Sequence, residues 1–488
     1  MAALDSIYMT AGEQIALMAA GKASSVELTQ ATIDRIERYD DTINAICVPD
    51  FERALGAARE ADLARSRGES RALLGIPITV KESFNVAGLP TTWGIPAFKD
   101  FRATEDALAV SRLKASGAVV LGKTNVPLVL GDVQSYNDIY GTTNNPWDID
   151  RTPGGSSGGS AAALAAGYGA LSIGSDIAGS LRAPAHYCGV YAHKPTFGVL
   201  PGRGHTPPPS RPLAYERDLT VIGPMARSAA DLSLMFDLLA EPDDTTVGIA
   251  YRLALPVPRH DDLASFRVLV IDTHPLIPTA PSVSTAIGRL ADQLTRAGAN
   301  VERESPLLPD QTDTARLYMR LLMSSLSAGL PAEIYARLQQ GAAALDSGDL
   351  SLAAERSRGW VLNHRDWLIA DTARAALRQR WRDLFAEFDI VLCPAMPTPA
   401  FRHDHSPDQW RRQIVIDGTI CNYGDQLVWA GVATAPGLPA TVVPIGYSDE
   451  GLPIGAQLIG PLYEDRTPLR FAELIEREFG GFVPPPLA

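Results

Sequence analysis

At 488 residues, 46% hydrophobic and 20% charged, the chain has a globular composition, with room for two to three average domains or one large α/β domain. Disordered and fibrous classes are excluded. A net charge of −13 argues against general nucleic-acid or anionic-membrane binding, since both require a basic footprint, and leaves a small molecule as the expected partner. The four cysteines, Cys47, Cys188, Cys393 and Cys421, have no CxxC spacing, so reduced buried thiols in a cytoplasmic protein are expected.

In chain order, the N-terminal stretch lacks a basic n-region and breaks its apolar run at Glu13, so no signal peptide is expected. "SSVELTQATIDRIERYDD" opens with a Ser-x-x-Glu capping box and predicts a surface helix burying Leu28, Ala31, Ile36 and Tyr39. "LLGIPITVKES" reads as a buried strand that ends, unusually, in Lys81. A short helix "EDALAVSRLKASG", stopped at Gly117, and a strand "AVVLGKTN" follow. This alternation predicts an α/β sheet.

Further on, "LSIGSD" is a candidate strand, "SLRAPAHYCG" a short helix, and the proline-rich 201–212 an irregular loop. "FRVLVI" predicts a strand before the helix "VSTAIGRLADQLTRAGA"; residues 311–388 are nearly all helical in pattern and end in the strand "DIVLCP". The C-terminal part reads as two strands joined at "SDEG" and a final helix.

The stretch "GGSSGGS" (154–160) fits a linker, a phosphate loop or an active site. The alanine-rich helix predicted directly after it argues against a flexible linker. A literal Walker A match at "GAVVLGKT" fails because residues 118–121 form a buried strand pattern and no helix follows. Gly155 to Gly159 also satisfies G-x-S-x-G, but the polar, proline-broken segment before it is not the apolar strand a nucleophile elbow needs. His403 and His405 have no third ligand at recognisable spacing and read as a solvated loop, not a metal site. The other histidines have no nearby acid that marks a general base, so a Ser-His-Asp triad is unsupported.

A lysine ending a strand, a Gly-Ser turn before a packed helix, and "GSDIAGSLR" with Ser180 24 residues after Ser156 together resemble the amidase signature family of serine hydrolases. The resemblance extends over "VKESFNVAG", "GKTNVP", "TTNNPWD", "KPTFG" and "LPIGAQLIGP", and covers most of the chain outside the helical region near 280–385. It implies a single 1–488 domain with a central twisted mixed β-sheet covered by helices on both faces, a catalytic core at 70–225 and a variable helical pocket region at 280–385. It further implies Ser180 as nucleophile, Ser156 as bridging serine after a cis peptide bond, Lys81 as base, and the backbone amides of Ile177, Ala178, Gly179 and Ser180 as oxyanion hole. Ser157 becomes a neighbour, Asp176 and Arg182 supports of the turn, and Leu130 and Gly131 part of the substrate pocket. Taken alone, Ser180 also fits a helix N-cap, and Arg182 a binding group for a substrate carboxylate.

The implied chemistry needs no metal or cofactor: a neutral, buried Lys81 activates Ser180 through Ser156, and water hydrolyses the acyl-enzyme. Two departures from the family pattern stand out, Ala178 where a glycine is usual and Glu82 where aspartate is common. No role is read for Glu82 at this level. The apolar "VPLVLG" and "RLLMSSLSAGL" segments favour a neutral hydrophobic acyl or aryl amide, with esters and carbamates meeting the same machinery. Implied partners are an amide-like small molecule and water, with a homodimer as the oligomeric option and neither nucleic acid nor membrane. Two rival readings are the amidase component of an aminoacyl-tRNA amidotransferase and a non-catalytic binding protein on a hydrolase scaffold.

Overall fold

A computed structural model describes residues 7–487. Its centre is a mixed sheet of 11 strands. In chain order these are β1 (Ile46–Pro49), β2 (Pro77–Lys81), β3 (Val119–Thr124), β4 (Leu171–Asp176), β5 (Tyr191–Lys194), β6 (Val221–Ala226), β7 (Arg267–Val270), β8 (Asn300–Glu302), β9 (Ile390–Pro394), β10 (Ala440–Tyr447) and β11 (Pro453–Ile459). The spatial order is β1-β3-β2-β4-β6-β5-β10-β11-β9-β7-β8. β3, β2 and β4 run parallel, the strands from β4 through β9 pair antiparallel, and β9, β7 and β8 are parallel again.

Helices cover both faces, and the strand pattern shows why. Side chains alternate across a strand. Accordingly Val268 and Val270 of β7 pack with Phe236, Leu290 and Phe471, while Leu269 between them packs with Tyr318, Leu322, Trp381 and Trp429. β2 and β4 are buried along their whole length, which fits their small and branched residues up to Lys81 and Asp176 at their ends.

Local signals in the sequence carry through in detail. Ser24 accepts from the Glu27 amide while the Glu27 carboxylate accepts from the Ser24 amide, a reciprocal cap on the helix Ser25–Ile43. Its buried stripe, however, is Leu28, Thr29, Thr32, Ile33, Ile36 and Ile43, with Ala31 and Tyr39 only partly covered. Thr32 escapes a hydropathy pattern because its hydroxyl is satisfied by the Leu28 carbonyl at 2.8 Å. The 311–388 region holds four helices, Gln311–Ser327, Ala332–Ala343, Leu352–Trp360 and His364–Glu387. Cys188 and Cys393 are buried thiols as expected; Cys47 and Cys421 are partly exposed.

The pairing β2↔β4 places Val80 opposite Ile173, so Lys81 and the "GSD" end of β4 emerge at the same sheet edge. Carboxyl ends of parallel strands in such sheets are where ligands bind.

Candidate active site

Lys81 ends β2 with no solvent exposure. Its Nζ lies within hydrogen-bond distance of three hydroxyls, Ser156 at 2.7 Å, Ser157 at 2.9 Å and Ser175 at 2.9 Å. Burial pushes its pKa well below the ordinary lysine range, only partly opposed by the charge of Asp176. An amine that is neutral in its resting state can accept a proton.

Ser156 follows the Gly155–Ser156 cis peptide bond. Gly155 has no room for a side chain: a Cβ there meets the Asp132 carbonyl oxygen at 2.4 Å and the Gln134 amide nitrogen at 2.7 Å. The helix Gly158–Ala166 begins at once, its first amide donating to Ser135 Oγ at 3.1 Å, and all nine of its residues are buried. "GGSSGGS" is therefore a packed turn.

Ser180 lies in the turn after β4. Leu181, not Ser180, takes the N-cap position of the helix Arg182–Cys188, so capping does not explain the serine. The Ser180 carbonyl accepts from the Ser157 amide at 3.1 Å, fastening this turn to the Gly-Ser turn. Gly179 holds φ +90°, a conformation that disfavours side chains, and packs against Ala430.

Asp176 and Arg182 brace the same turn from inside the protein. The carboxylate accepts from the Gly179 amide at 2.9 Å and the Leu181 amide at 3.1 Å. Burial raises its pKa, but the Arg182 charge and hydrogen bonds outweigh burial and hold it down at about 2. A guanidinium has five N–H donors. Those of Arg182 go to both Asp176 oxygens, the Ala430 carbonyl, Gln457 Oε1 and Thr434 Oγ1, leaving none for a substrate carboxylate. The Gly179 amide, one of the four expected oxyanion donors, thus already donates to Asp176, whereas no such bond engages the amides of Ile177, Ala178 and Ser180 among the described residues.

Ser180, Ile177 and Ala178 open onto a cavity of about 580 Å³, within the size range of small-molecule sites. Leu130 and Gly131 line it, and so do Trp93, Phe98, Val133, Leu322, Leu326, Trp360, Trp410 and Leu427. Its charged lining consists of Asp132 and Arg217. Asp132 is neutralised by Arg412 at 2.6 Å and held by the Tyr423 hydroxyl at 2.7 Å.

The histidine pair near the C-terminal loop is structural: His403 Nε2 lies 3.1 Å from Asn144 Oδ1, and His405 stacks on Tyr136 with centroids 3.8 Å apart. Lys123, the Walker-like lysine, is buried in β3 and bonds to Pro90 and Thr91.

Residues 27–469 match the model of the amidase family. The chain belongs to the amidase signature family. It is an amidase, a hydrolase of carbon–nitrogen bonds. Among relatives, a component of the glutamyl-tRNA(Gln) amidotransferase of Roseiflexus castenholzii is 31% identical, over 96% of this chain and 95% of its own. Indoleacetamide hydrolase of Bradyrhizobium diazoefficiens is 32% identical over 96% of this chain and 86% of its own. A solved structure from a vestigial complex that reveals the origins of an s-triazine catabolic enzyme superposes with a TM-score of 0.80 at 30% identity, covering 96% of this amidase and 99% of that chain.

Lys81, Ser156, Ser157 and Ser180 are marked in the sequence, but Ser175, the third hydroxyl at the lysine, is not, although it lies in the predicted strand end "GSD". Nor does the sequence mark the aromatic lining. Trp93, Trp360 and Trp410 come from three distant segments, and nothing local marks them as neighbours.

Proposed function

We propose that this amidase cleaves the carboxamide of a neutral, hydrophobic acyl or aryl substrate through an ester on Ser180. The observation that carries this reading is a fully buried lysine 2.7 Å from the Ser156 hydroxyl, with Gly155 and Ser180 both lining an apolar cavity. Neutral Lys81 takes the proton of Ser156 as Ser156 takes that of Ser180, and Ser180 Oγ attacks the carbonyl carbon. The oxyanion is held by the amides of Ile177, Ala178 and Ser180, each such donor contributing about 3 kcal/mol. The proton returns through Ser156 to the nitrogen, the C–N bond breaks and the amine leaves. Water, deprotonated through the same relay, attacks the acyl carbon, and Ser180 regains its proton as the acid departs. Esters and carbamates present the same carbonyl to the same groups.

The apolar lining and the pairing of Asp132 with Arg412 support a hydrophobic, uncharged substrate. The 280–385 segment acts as the variable wall, through Leu322, Leu326 and Trp360. The deciding experiment is turnover of aliphatic amides, anilides, esters and carbamates by the isolated chain, with acyl-Ser180 trapped and located by mass spectrometry. Hydrophobic anilides or amides turning over fastest is the expected result; label on another serine would sink the assignment.

Similarity to an amidotransferase component favours a second reading, in which the ammonia released passes to a partner enzyme. Turnover of small amides by the chain alone, unaffected by added partner proteins, counts against it.

A further inference from the structure

Two buried side chains of opposite charge, Glu82 and Lys123, take no part in the relay, yet both grip the same segment, residues 90–93. Glu82 has no solvent exposure. Its Oε1 accepts from the Thr92 amide at 2.5 Å and the Tyr140 hydroxyl at 3.2 Å, and its Oε2 from the Trp93 amide at 3.0 Å. Lys123 Nζ donates to the Pro90 carbonyl and, at 2.9 Å, to Thr91 Oγ1. Four consecutive residues are thus held by two charges.

The segment ends in Trp93, which lines the substrate cavity. Trp93 holds φ +55°, a left-handed backbone that a bulky residue keeps only where its surroundings impose it. Its indole N–H donates to the Ser83 carbonyl at 3.0 Å, and His205, with Nε2 3.0 Å from Ser83 Oγ, stands beside the ring with centroids 5.0 Å apart. The residues immediately after the lysine therefore hold one wall of the pocket.

We propose that Glu82 is a positioning residue for substrate selection: with Lys123 it fixes residues 90–93 and so sets where the Trp93 wall stands relative to Ser180. The inference rests on the cavity being the acyl or aryl pocket. A carboxylate supplies acceptors on both oxygens, whereas a carboxamide has one, so Glu82→Gln leaves the Thr92 or the Trp93 amide facing a donor.

The test is kcat and KM on an amide series of increasing acyl size for Glu82→Gln, Glu82→Asp, Trp93→Ala and the double variant Glu82→Gln/Trp93→Ala. Expected for Glu82→Gln is a KM about tenfold higher for aryl amides and a kcat within about threefold of the parent for the smallest amide. Glu82→Asp, which keeps both acceptors, brings KM back to within about threefold of the parent. Glu82→Gln adds little to Trp93→Ala, because both act on one wall. A loss of kcat that is the same for every amide with KM unchanged, or effects of the two substitutions that multiply, overturns the proposal. Where Glu82→Gln does not fold, Lys123→Met must show the same size-dependent rise in KM, and a uniform loss again overturns it. Turnover persisting in Ser180→Ala signals instead that the catalytic reading beneath it has failed.

Discussion

Asp176 and Arg182 meet in a two-point ion pair, Oδ1 to Nη2 at 2.9 Å and Oδ2 to Nε at 3.0 Å, directly beneath the turn that carries Ser180. Both side chains are essentially without solvent exposure, so removing one leaves the other as an uncompensated buried charge. Arg182→Leu is expected to cost about 3–5 kcal/mol of stability, read by denaturant titration. A variant of undiminished stability with KM raised only for acid-bearing amides would instead make Arg182 a substrate ligand. The Asp176 pKa is depressed to about 2. The stability it supplies is therefore full above the ordinary carboxylate value near 4 and is lost as pH falls from about 4 to 2. Asp176→Asn should flatten that part of the pH–stability curve.

The three serines near Lys81 are separable by activity. Ser180→Ala should lower kcat/KM by about 10⁴-fold or more and abolish covalent labelling. Ser156→Ala and Lys81→Ala should cost roughly 10²- to 10⁴-fold, the range for a lost proton-transfer group. Ser157→Ala removes one of three hydroxyls hydrogen-bonded to the lysine and should cost about tenfold or less. Circular dichroism establishes that each variant is folded; a folded Ser157→Ala as inactive as Ser180→Ala contradicts these roles.

Activity should rise with pH along a limb set by Lys81. Its folded pKa lies well below the free-lysine value, so the active neutral base is present above that lowered pKa and lost as pH falls through it. Lys81→Arg, which cannot deprotonate, should be inactive at every pH. Lys194 is also pushed down, to about 7, by burial and then by Arg182. It donates to the Pro195 carbonyl, away from the serines, so Lys194→Met should leave the limb's midpoint in place.

Ala178 lines the cavity, and its side chain is not needed for a backbone donor. Ala178→Gly should keep kcat for the smallest amide within about threefold and lower KM for bulky ones by up to about tenfold. A collapse of kcat for every substrate would show that the methyl fixes the amide's direction.

Arg217 is the cavity's other charged group. With a neutral substrate, Arg217→Leu should change kcat/KM of anilides by less than about threefold. A large loss confined to acid-bearing amides would move the substrate class from neutral to anionic.

How much of this was legible depended on whether the cause was local. The capping box at Ser24, the strand ending in Lys81 and the tight turn at 154–160 are short-range patterns whose physics is contained in a few residues. The resemblance placed Lys81, Ser156 and Ser180 because its motifs are spaced along the chain in order. The commitment of the Gly179 amide was not legible, because it depends on where Asp176 points. Nor was the grip of Glu82 on residues ten positions away, or the convergence of Trp93, Trp360 and Trp410. Those relations exist only once the sheet has brought distant segments together.

The absence of room at Gly155 bears on how new specificities arise. Leu130, Gly131, Asp132 and Val133 line the cavity, and the backbone of Asp132 and Gln134 in the same segment presses on Gly155, so a substitution in 130–134 is expected to move pocket shape and proton relay together. Leu322, Leu326 and Trp360 reach the cavity from helices outside the relay. Substrate range is therefore expected to change more readily on the helical side than on the side of the Gly-Ser turn. A laboratory library that randomises positions 322, 326 and 360 should return many active variants of altered preference, where one of equal size at 130–134 returns few.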